Sequence, residues 1–279
     1  MAPTAPAVPL PSASVILVDP ARGGEEPFGL FLLKRRQKSS FMPNRFVFPG
    51  GRVEGHDGGD PWSGQALKTC ALRELWEEAG VVLALGRGAH PPQAELERAR
   101  RALLDGGISL ARVLAGLGLA PDAGALLPYA RWITPTARPQ RFDTVFYVAL
   151  MPAGQEASSD QTETSQGLWL SPRRALAENV QGQVELAPPQ VIILGHLASL
   201  SGIEQLLAHC QAPDLSPVMP VLWAQGRGPE APRVILLPGD PDYPAGAPAD
   251  PDHPGEPCPA VSASRLVHQG GVWIPHRPW

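Results

Sequence analysis

The chain has 279 residues, 43% of them hydrophobic and 18% charged, which suits one large domain or a domain with sizeable additions. Its formal net charge of −4 argues against a general nucleic-acid binder, which is usually basic. No apolar run reaches membrane-spanning length, and three widely separated cysteines (Cys70, Cys210 and Cys258) suit free thiols in a reducing compartment rather than a disulfide scaffold.

The opening "MAPTAPAVPLPSAS" lacks the basic-then-apolar order of a secretory signal and reads as a flexible Pro/Ala leader over 1–11. "SASVILVDP" and "FGLFLLKRR" are apolar, β-branched or aromatic runs around a Gly-containing loop, which predicts strand, loop, strand. "NRFVFPGGRVEG" predicts one short extended piece stopped by Pro49 and a glycine pair. "DPWSGQALKTCALRELWEEAG" predicts a helix capped by Asp60 or Ser63 and ended by Gly80. Leu72, Leu75, Trp76 and Ala79 recur at helical spacing and give it a core-facing stripe.

Two short helices broken at Gly106-Gly107 are expected within a helical insertion over about 91–120. Strand character returns in "ARWITPTARPQRFDTVFYVALMP", densest from Phe142 to Leu150. "SQGLWLSPRRALAENV" reads as a strand and a helix start, and "LAPPQVIILGHLASLSGIEQLLAHC" as a proline pair followed by an apolar helix. The main domain is thus expected over 12–211, with a Pro-rich extension over 212–279. That extension contains strand-like islands, "PRVILLPGD" and "SRLVHQGGVWI", the second with a turn at Gln269-Gly270-Gly271. Such a hairpin can cover its own domain or pair with a second subunit, so a homodimer is one expected assembly. The final "HRPW" is not an address of the Ser-Lys-Leu type, and a cytoplasmic location is the expectation.

The segment "CALRELWEEAGV" poses a physical problem. Glu74, Glu77 and Glu78 share one helix face beside Arg73, and each close like-charge pair on a helix costs about 0.2–0.5 kcal/mol. "EE" alone on a helix is commonly a solvated acidic face. Here the apolar stripe occupies another side, so one face docks while the other presents clustered oxygens. Hard divalent cations take such ligands together with substrate phosphates, and a cation removes the repulsion. Upstream, "FPGGRVEG" puts Gly50 and Gly51 where backbone carbonyls can approach a metal or phosphate unobstructed.

At these residues the chain resembles the Nudix hydrolases. Their signature runs Gly, five residues, Glu, seven residues, then Arg-Glu-apolar-x-Glu-Glu-x-Gly-apolar. The second half stands intact as "RELWEEAGV", Arg73 to Val81. The first half begins at Gly51 with Asp57 in place of the glutamate, and the gap to Arg73 is longer than the signature's, so an insertion is expected around "HDGGDPWSG". A strict count back from Arg73 reaches Gln65 and Gly59 instead, matching the glycine alone. The role of Asp57 stays open at this point. "SFMPNRFVFPGG", "CALRELWEEAGV", "WITPTARPQRFDTVFYVAL", "GLWLSP" and "LAPPQ" in that order resemble the branch typified by peroxisomal acyl-coenzyme A diphosphatase.

The resemblance implies an α/β fold, an α/β/α sandwich around a mixed sheet, with a helical insertion and a Pro-rich C-terminal extension. It implies Mg²⁺- or Mn²⁺-dependent hydrolysis of a small-molecule nucleoside diphosphate derivative, coenzyme A or acyl-coenzyme A, to 3′,5′-ADP and 4′-phosphopantetheine. ADP-ribose or NADH is the alternative substrate class, and a non-hydrolytic nucleotide-binding module is the rival from another class. Glu74, Glu77 and Glu78 would be the metal ligands with the Gly50 or Gly51 carbonyl, and Arg73 would orient one of them. Glu163, just before "GLWLSP", is the candidate general base, against a solvated loop reading. Arg36, at the first arginine of the motif that precedes the box in coenzyme A diphosphatases, and Arg45, Arg138 and Arg141 are the candidate substrate-binding cations, although strand-end arginines are often structural. Trp169 and Phe142 read as core, His196 and His209 as packed helix residues, and Cys70 as a small buried residue.

Overall fold

The computed structural model describes residues 5–38, 42–86, 91–105, 107–224, 233–243, 256–257 and 262–277. Strands β1 (Leu10–Asp19) and β2 (Gly29–Arg35) are followed by two short strands, β3 (Phe46–Val47) and β4 (Gly50–Arg52). One extended piece was expected there. Pro49, which has no N–H to donate, separates the two, and β3 pairs with β2 while β4 pairs with β1. Helix α1 (Gly64–Ala79) comes next, then β5 (Ala84–Gly86), α2 (Gln93–Leu104), α3 (Leu110–Gly116) and β6 (Leu119–Pro121). The break between α2 and α3 includes Gly107 at φ 78°; Gly106 lies outside the described residues, as does Cys258.

Strands β7 (Leu127–Ile133), β8 (Phe142–Leu150) and β9 (Thr164–Leu170) complete a seven-stranded sheet. Its order is β3-β2-β1-β8-β7, with β4 also on β1 and β9 also on β2. β1 and β8 run parallel in register from Leu10–Phe142 to Val18–Leu150, and the remaining pairs are antiparallel. The sheet is therefore mixed. β1 begins at Leu10, two residues before the expected domain start, because its amide donates to the Arg141 carbonyl at 2.9 Å.

Side chains alternate across a strand, and the apolar runs are continuous, so both faces must be covered. Ile16, Val18, Leu30, Leu32, Phe146 and Val148 join one core with α4 (Pro172–Val180), α5 (Pro188–Leu197) and α6 (Ile203–Gln211). Val15, Leu17, Phe31, Leu33, Tyr147 and Ala149 join the other with α1, α2 and α3. This is an α/β/α sandwich. The stretch after "LAPPQ" is two helices rather than the single one expected, the chain turning at Ser199 to Gly202.

The C-terminal segment forms a second, antiparallel sheet from β10 (Val221–Ala224), β11 (Arg233–Leu236), β12 (Glu256–Pro257), β13 (Arg265–Gln269) and β14 (Val272–Arg277). Ile235, Leu237, Leu266 and Trp273 enter the same core as α5. Asn179 of α4, buried, donates to the Trp273 carbonyl at 3.0 Å and accepts from the Leu186 amide at 3.0 Å. The hairpin thus covers its own domain.

Within this sheet the carboxylate of Asp240 takes two short bonds from Arg265, 2.8 Å from Nε and 2.5 Å from Nη2, and one of 2.5 Å from the Ser264 hydroxyl. Burial acts to raise the Asp240 pKa, but these bonds outweigh it and hold the group below its ordinary value. The sign follows: this stabilisation is present above the unfolded-state pKa of about 4 and is lost as pH falls through the lower folded-state value. Asp240→Ala, which removes the carboxylate from a buried pair, should cost about 3–5 kcal/mol in urea unfolding at pH 7. The deficit should shrink in the same measurement as pH falls below about 4.

Candidate active site

Helix α1 owes its placement to both ends and one face. Ser63 caps it, its hydroxyl accepting from the Ala66 amide at 3.1 Å, while Asp60 closes the preceding turn through the Trp62 amide at 3.1 Å. Gly80 ends it at φ 72°, a left-handed conformation that side chains resist. Leu72, Leu75, Trp76 and Ala79 are buried against the sheet as the periodicity predicts.

The chemistry gathers around Arg73, only 3% exposed. Its Nε and Nη2 donate to the two oxygens of Asp57, each at 2.8 Å, in a bidentate pair. Nη2 also reaches the Arg52 carbonyl at 3.1 Å, and Nη1 donates to Glu74 at 2.7 Å and Glu77 at 2.9 Å. Burial alone would weaken the guanidinium's charge, but Asp57 and Glu74 hold it firmly protonated. Asp57, whose role the sequence left open, is therefore the buried partner of Arg73. The insertion after it leaves that pairing intact.

The three glutamates divide two and one. Glu74 and Glu77 turn to Arg73, whereas Glu78 accepts from the Gly50 amide at 2.8 Å. Among the described residues no group of three His, Cys, Asp or Glu side chains converges as a ready metal cage. The Gly51 carbonyl accepts from the Cys70 thiol at 3.5 Å. A Cβ on Gly51 would stand 2.2 Å from Glu74 Oε1, so with that carboxylate where it is, glycine is what lets β4 lie against it.

The electrostatics are those of crowded anions. Burial, opposed by Arg73 and reinforced by the charges of Glu77 and Glu163, pushes Glu74 up to about 7. Burial and the charge of Glu74 raise Glu78 well above the carboxylate range, against the pull of the Gly50 amide and the charge of Arg35. Glu77 is raised by burial against the pull of Arg73. An all-oxygen donor set with mutual repulsion, beside a strand that carries no side chain at the approach, fits a hard divalent cation. Glu74, Glu77 and Glu78 are the residues that would hold it.

Glu163, exposed just ahead of β9, lies close enough for its charge to act on both Glu74 and Glu78. The four candidate arginines scatter. Arg36 donates to the Gln161 carbonyl in the loop of Glu163, and its amide donates to the Glu163 carbonyl at 3.1 Å. Arg45 is ion-paired with Glu185 at 2.7 Å and donates to the Gly271 carbonyl at 3.0 Å, so it pins the C-terminal hairpin. Arg141 is buried, donating to the Thr134 and Ala7 carbonyls at 2.9 and 2.7 Å and contacting Met219 Sδ at 3.5 Å. Arg138 sits exposed in the turn between β7 and β8. Arg141 thus spends Nε, Nη1 and Nη2 on the fold, while Arg45 commits Nη1 to it. Arg35, which ends β2 beside Arg36, is the cation whose charge acts on Glu78. Trp169 packs on Phe31 with ring centroids 5.3 Å apart, and Tyr129 bonds His196 at 2.5 Å beside His209, as packed residues do.

A family model for the NUDIX domain matches residues 8–100, and one for the NUDT19 Nudix domain matches residues 63–197. The chain belongs to the Nudix hydrolase superfamily, and so to the enzymes of that class. Within the superfamily it falls in the NUDT19 branch. It is 29% identical to acyl-coenzyme A diphosphatase NUDT19 of Gallus gallus, over 92% of this chain and 84% of that protein. It is 26% identical to the protein of the same name from Homo sapiens, over 78% and 73%. A NUDIX hydrolase from Alicyclobacillus acidocaldarius has the same fold, with a TM-score of 0.65 at 24% identity, covering 76% of this chain and 99% of that one.

The buried pair carries a stability prediction. Asp57→Ala leaves Arg73 without its bidentate partner and should lower unfolding free energy by about 3–5 kcal/mol, read by urea denaturation. Circular dichroism of the native state should keep its helical signal.

Proposed function

We propose that the enzyme hydrolyses the diphosphate of coenzyme A or acyl-coenzyme A, releasing 3′,5′-ADP and 4′-phosphopantetheine or its acylated form. The observation that carries this reading is the set of carboxylates Glu74, Glu77 and Glu78 on one helix beside the β4 glycines, with the charge of Glu163 acting on Glu74 and Glu78. The two relatives named as acyl-coenzyme A diphosphatases support the choice of substrate. Nudix enzymes work with a divalent cation, and we propose Mg²⁺ or Mn²⁺ here. When bound, it supplies neutralisation of the diphosphate oxygens and lowers the pKa of the attacking water.

The chain's own residues do the rest. Arg73 holds Glu74 and Glu77 in place, so their carboxylates are oriented before substrate arrives. Glu163 takes the proton of the water as its oxygen bonds to phosphorus and the phosphorus–oxygen bond of the anhydride breaks. The bare backbone at Gly51 lets β4 lie against the Glu74 carboxylate. Arg36 and Arg138 are the remaining candidates to meet the anionic ends of the substrate. Cytoplasm is the compartment we propose, supported by the buried free thiols of Cys70 and Cys210.

Incubation with acyl-coenzyme A and either cation, followed by chromatography, should yield 3′,5′-ADP. Slow cleavage there beside brisk cleavage of ADP-ribose or NADH would move the substrate elsewhere in the class. Glu78→Gln should lower turnover about a hundredfold or more while the melting temperature holds or rises, since it removes one member of a repelling pair. Glu163→Gln should lower kcat about 10²- to 10⁴-fold without unfolding the protein.

A further inference from the structure

Helix α2 belongs to the insertion between the acidic helix and β7, yet one of its side chains reaches the end of α1. Arg100 donates to the Glu77 carbonyl from Nε at 3.2 Å and from Nη2 at 2.8 Å, and Nη2 also reaches the Ser158 carbonyl at 3.3 Å. A helix leaves its last carbonyls without internal partners, and a cation there is favourable. The Ser158 amide takes another of them, donating to the Ala79 carbonyl at 2.9 Å. Gly80 makes the approach feasible, for a Cβ there would stand 2.8 Å from Arg100 Nη1. Burial disfavours the guanidinium's charge, and the neighbouring charges of Asp160 and Glu97 favour it.

The loop so held leads directly to Glu163. Asp160 accepts from the Glu163 amide at 2.8 Å, from the Thr164 amide at 2.9 Å and from the Thr164 hydroxyl at 2.5 Å. A cavity of about 210 Å³ opens beside Trp76, Leu96, Arg100, Ser158 and Asp160. Before it the loop is tied by Ala157, packed on the core, and by Gln155, which accepts from the Val82 amide at 2.9 Å and donates to the Val82 carbonyl at 2.8 Å, so Arg100 acts on the stretch from Ser158 onward. Glu77 also places its carboxylate on Arg73, so the residue whose carbonyl Arg100 grips belongs to the acidic set itself.

We propose that Arg100 is a positioning residue. It fixes the stretch 158–163 against the end of α1 and so sets where the Glu163 carboxylate stands relative to Glu74 and Glu78. This rests on the reading of Glu163 as proton acceptor given above. The helical insertion, on this account, is part of the catalytic apparatus and not a surface decoration.

The test is a double-mutant cycle in the full chain with acyl-coenzyme A, joined to hydrogen exchange. Arg100→Ala should lower kcat about 10- to 100-fold with KM nearly unchanged, the scale of a misplaced catalytic group. In the Glu163→Gln background the same change should cost less than about twofold, because the group it positions is already disabled. Amides of 158–164 should exchange at least about tenfold faster in Arg100→Ala. Arg100→Lys, which can reach one carbonyl but not bridge two, should recover part of kcat.

Equal losses from Arg100→Ala in both backgrounds, or an unchanged kcat or unchanged exchange in the loop, would overturn the proposal. Should Arg100→Ala fail to fold, Asp160→Asn enters the same cycle with the same expected non-additivity. If Glu163→Gln is fully active while Arg100→Ala is slow, the assignment of Glu163 as proton acceptor fails, and with it the claim that Arg100 acts through Glu163. If Glu163→Gln is inactive while Arg100→Ala keeps full activity, the assignment of Glu163 stands and the positioning role of Arg100 fails.

Discussion

One guanidinium organises the site. Arg73 is buried and bonded at once to Asp57, Glu74 and Glu77, so the acidic face of α1 is assembled on a cation supplied by the chain. Without that charge the crowded carboxylates would repel one another in a region where burial already disfavours their ionised forms. The pairing with Asp57 fixes Arg73 from one side and thereby fixes the direction in which it presents Glu74 and Glu77. Every other element of the site is set relative to this group: β4 lies on Glu74 because Gly51 has no side chain, and Gly50 holds Glu78 through its amide.

Asp57 shows how a departure from the usual signature can keep its physics. Aspartate is one methylene shorter than glutamate, and the path from it to Arg73 is longer than usual. The tight turn Gly55–Asp57 brings the shorter carboxylate up to the guanidinium, and the Glu54 amide also donates to it at 2.9 Å. The extra residues are accommodated before Ser63, where a turn and a cap restart the chain as a helix. An insertion placed at a loop and ended by a cap leaves the geometry downstream unchanged.

Much of this was legible in the sequence because its signals are local and periodic. The stripe Leu72, Leu75, Trp76 and Ala79, the stop at Gly80 and the strands around Val15 and Phe146 depend on neighbours a few residues away, and the structure has them all. The roles of the arginines were not legible. Arg45 and Arg141 read as cations for an anionic substrate, yet each is bonded to groups far along the chain, Glu185 and Gly271 for one, Ala7 and Met219 for the other. The same limit hid Arg100, whose partners at Glu77 and Ser158 come together only in the folded chain. No local spacing encodes such meetings. The kink between α5 and α6 was missed for a different reason, since Ser199 to Gly202 interrupts an apolar run that otherwise continues.

The packing of the last strands has a bearing on biosynthesis. Leu266 and Trp273 belong to the core shared by the central sheet and α5, so that core cannot close until the chain as far as Trp273 has left the ribosome. The opposite layer, with α1 and the acidic residues, draws its core side chains from residues 13 to 149 and can form while the rest is still being translated. The two sides of one sheet thus mature at different times, and a nascent chain would carry an assembled acidic helix over an exposed apolar rear surface, the state in which a chaperone would meet it.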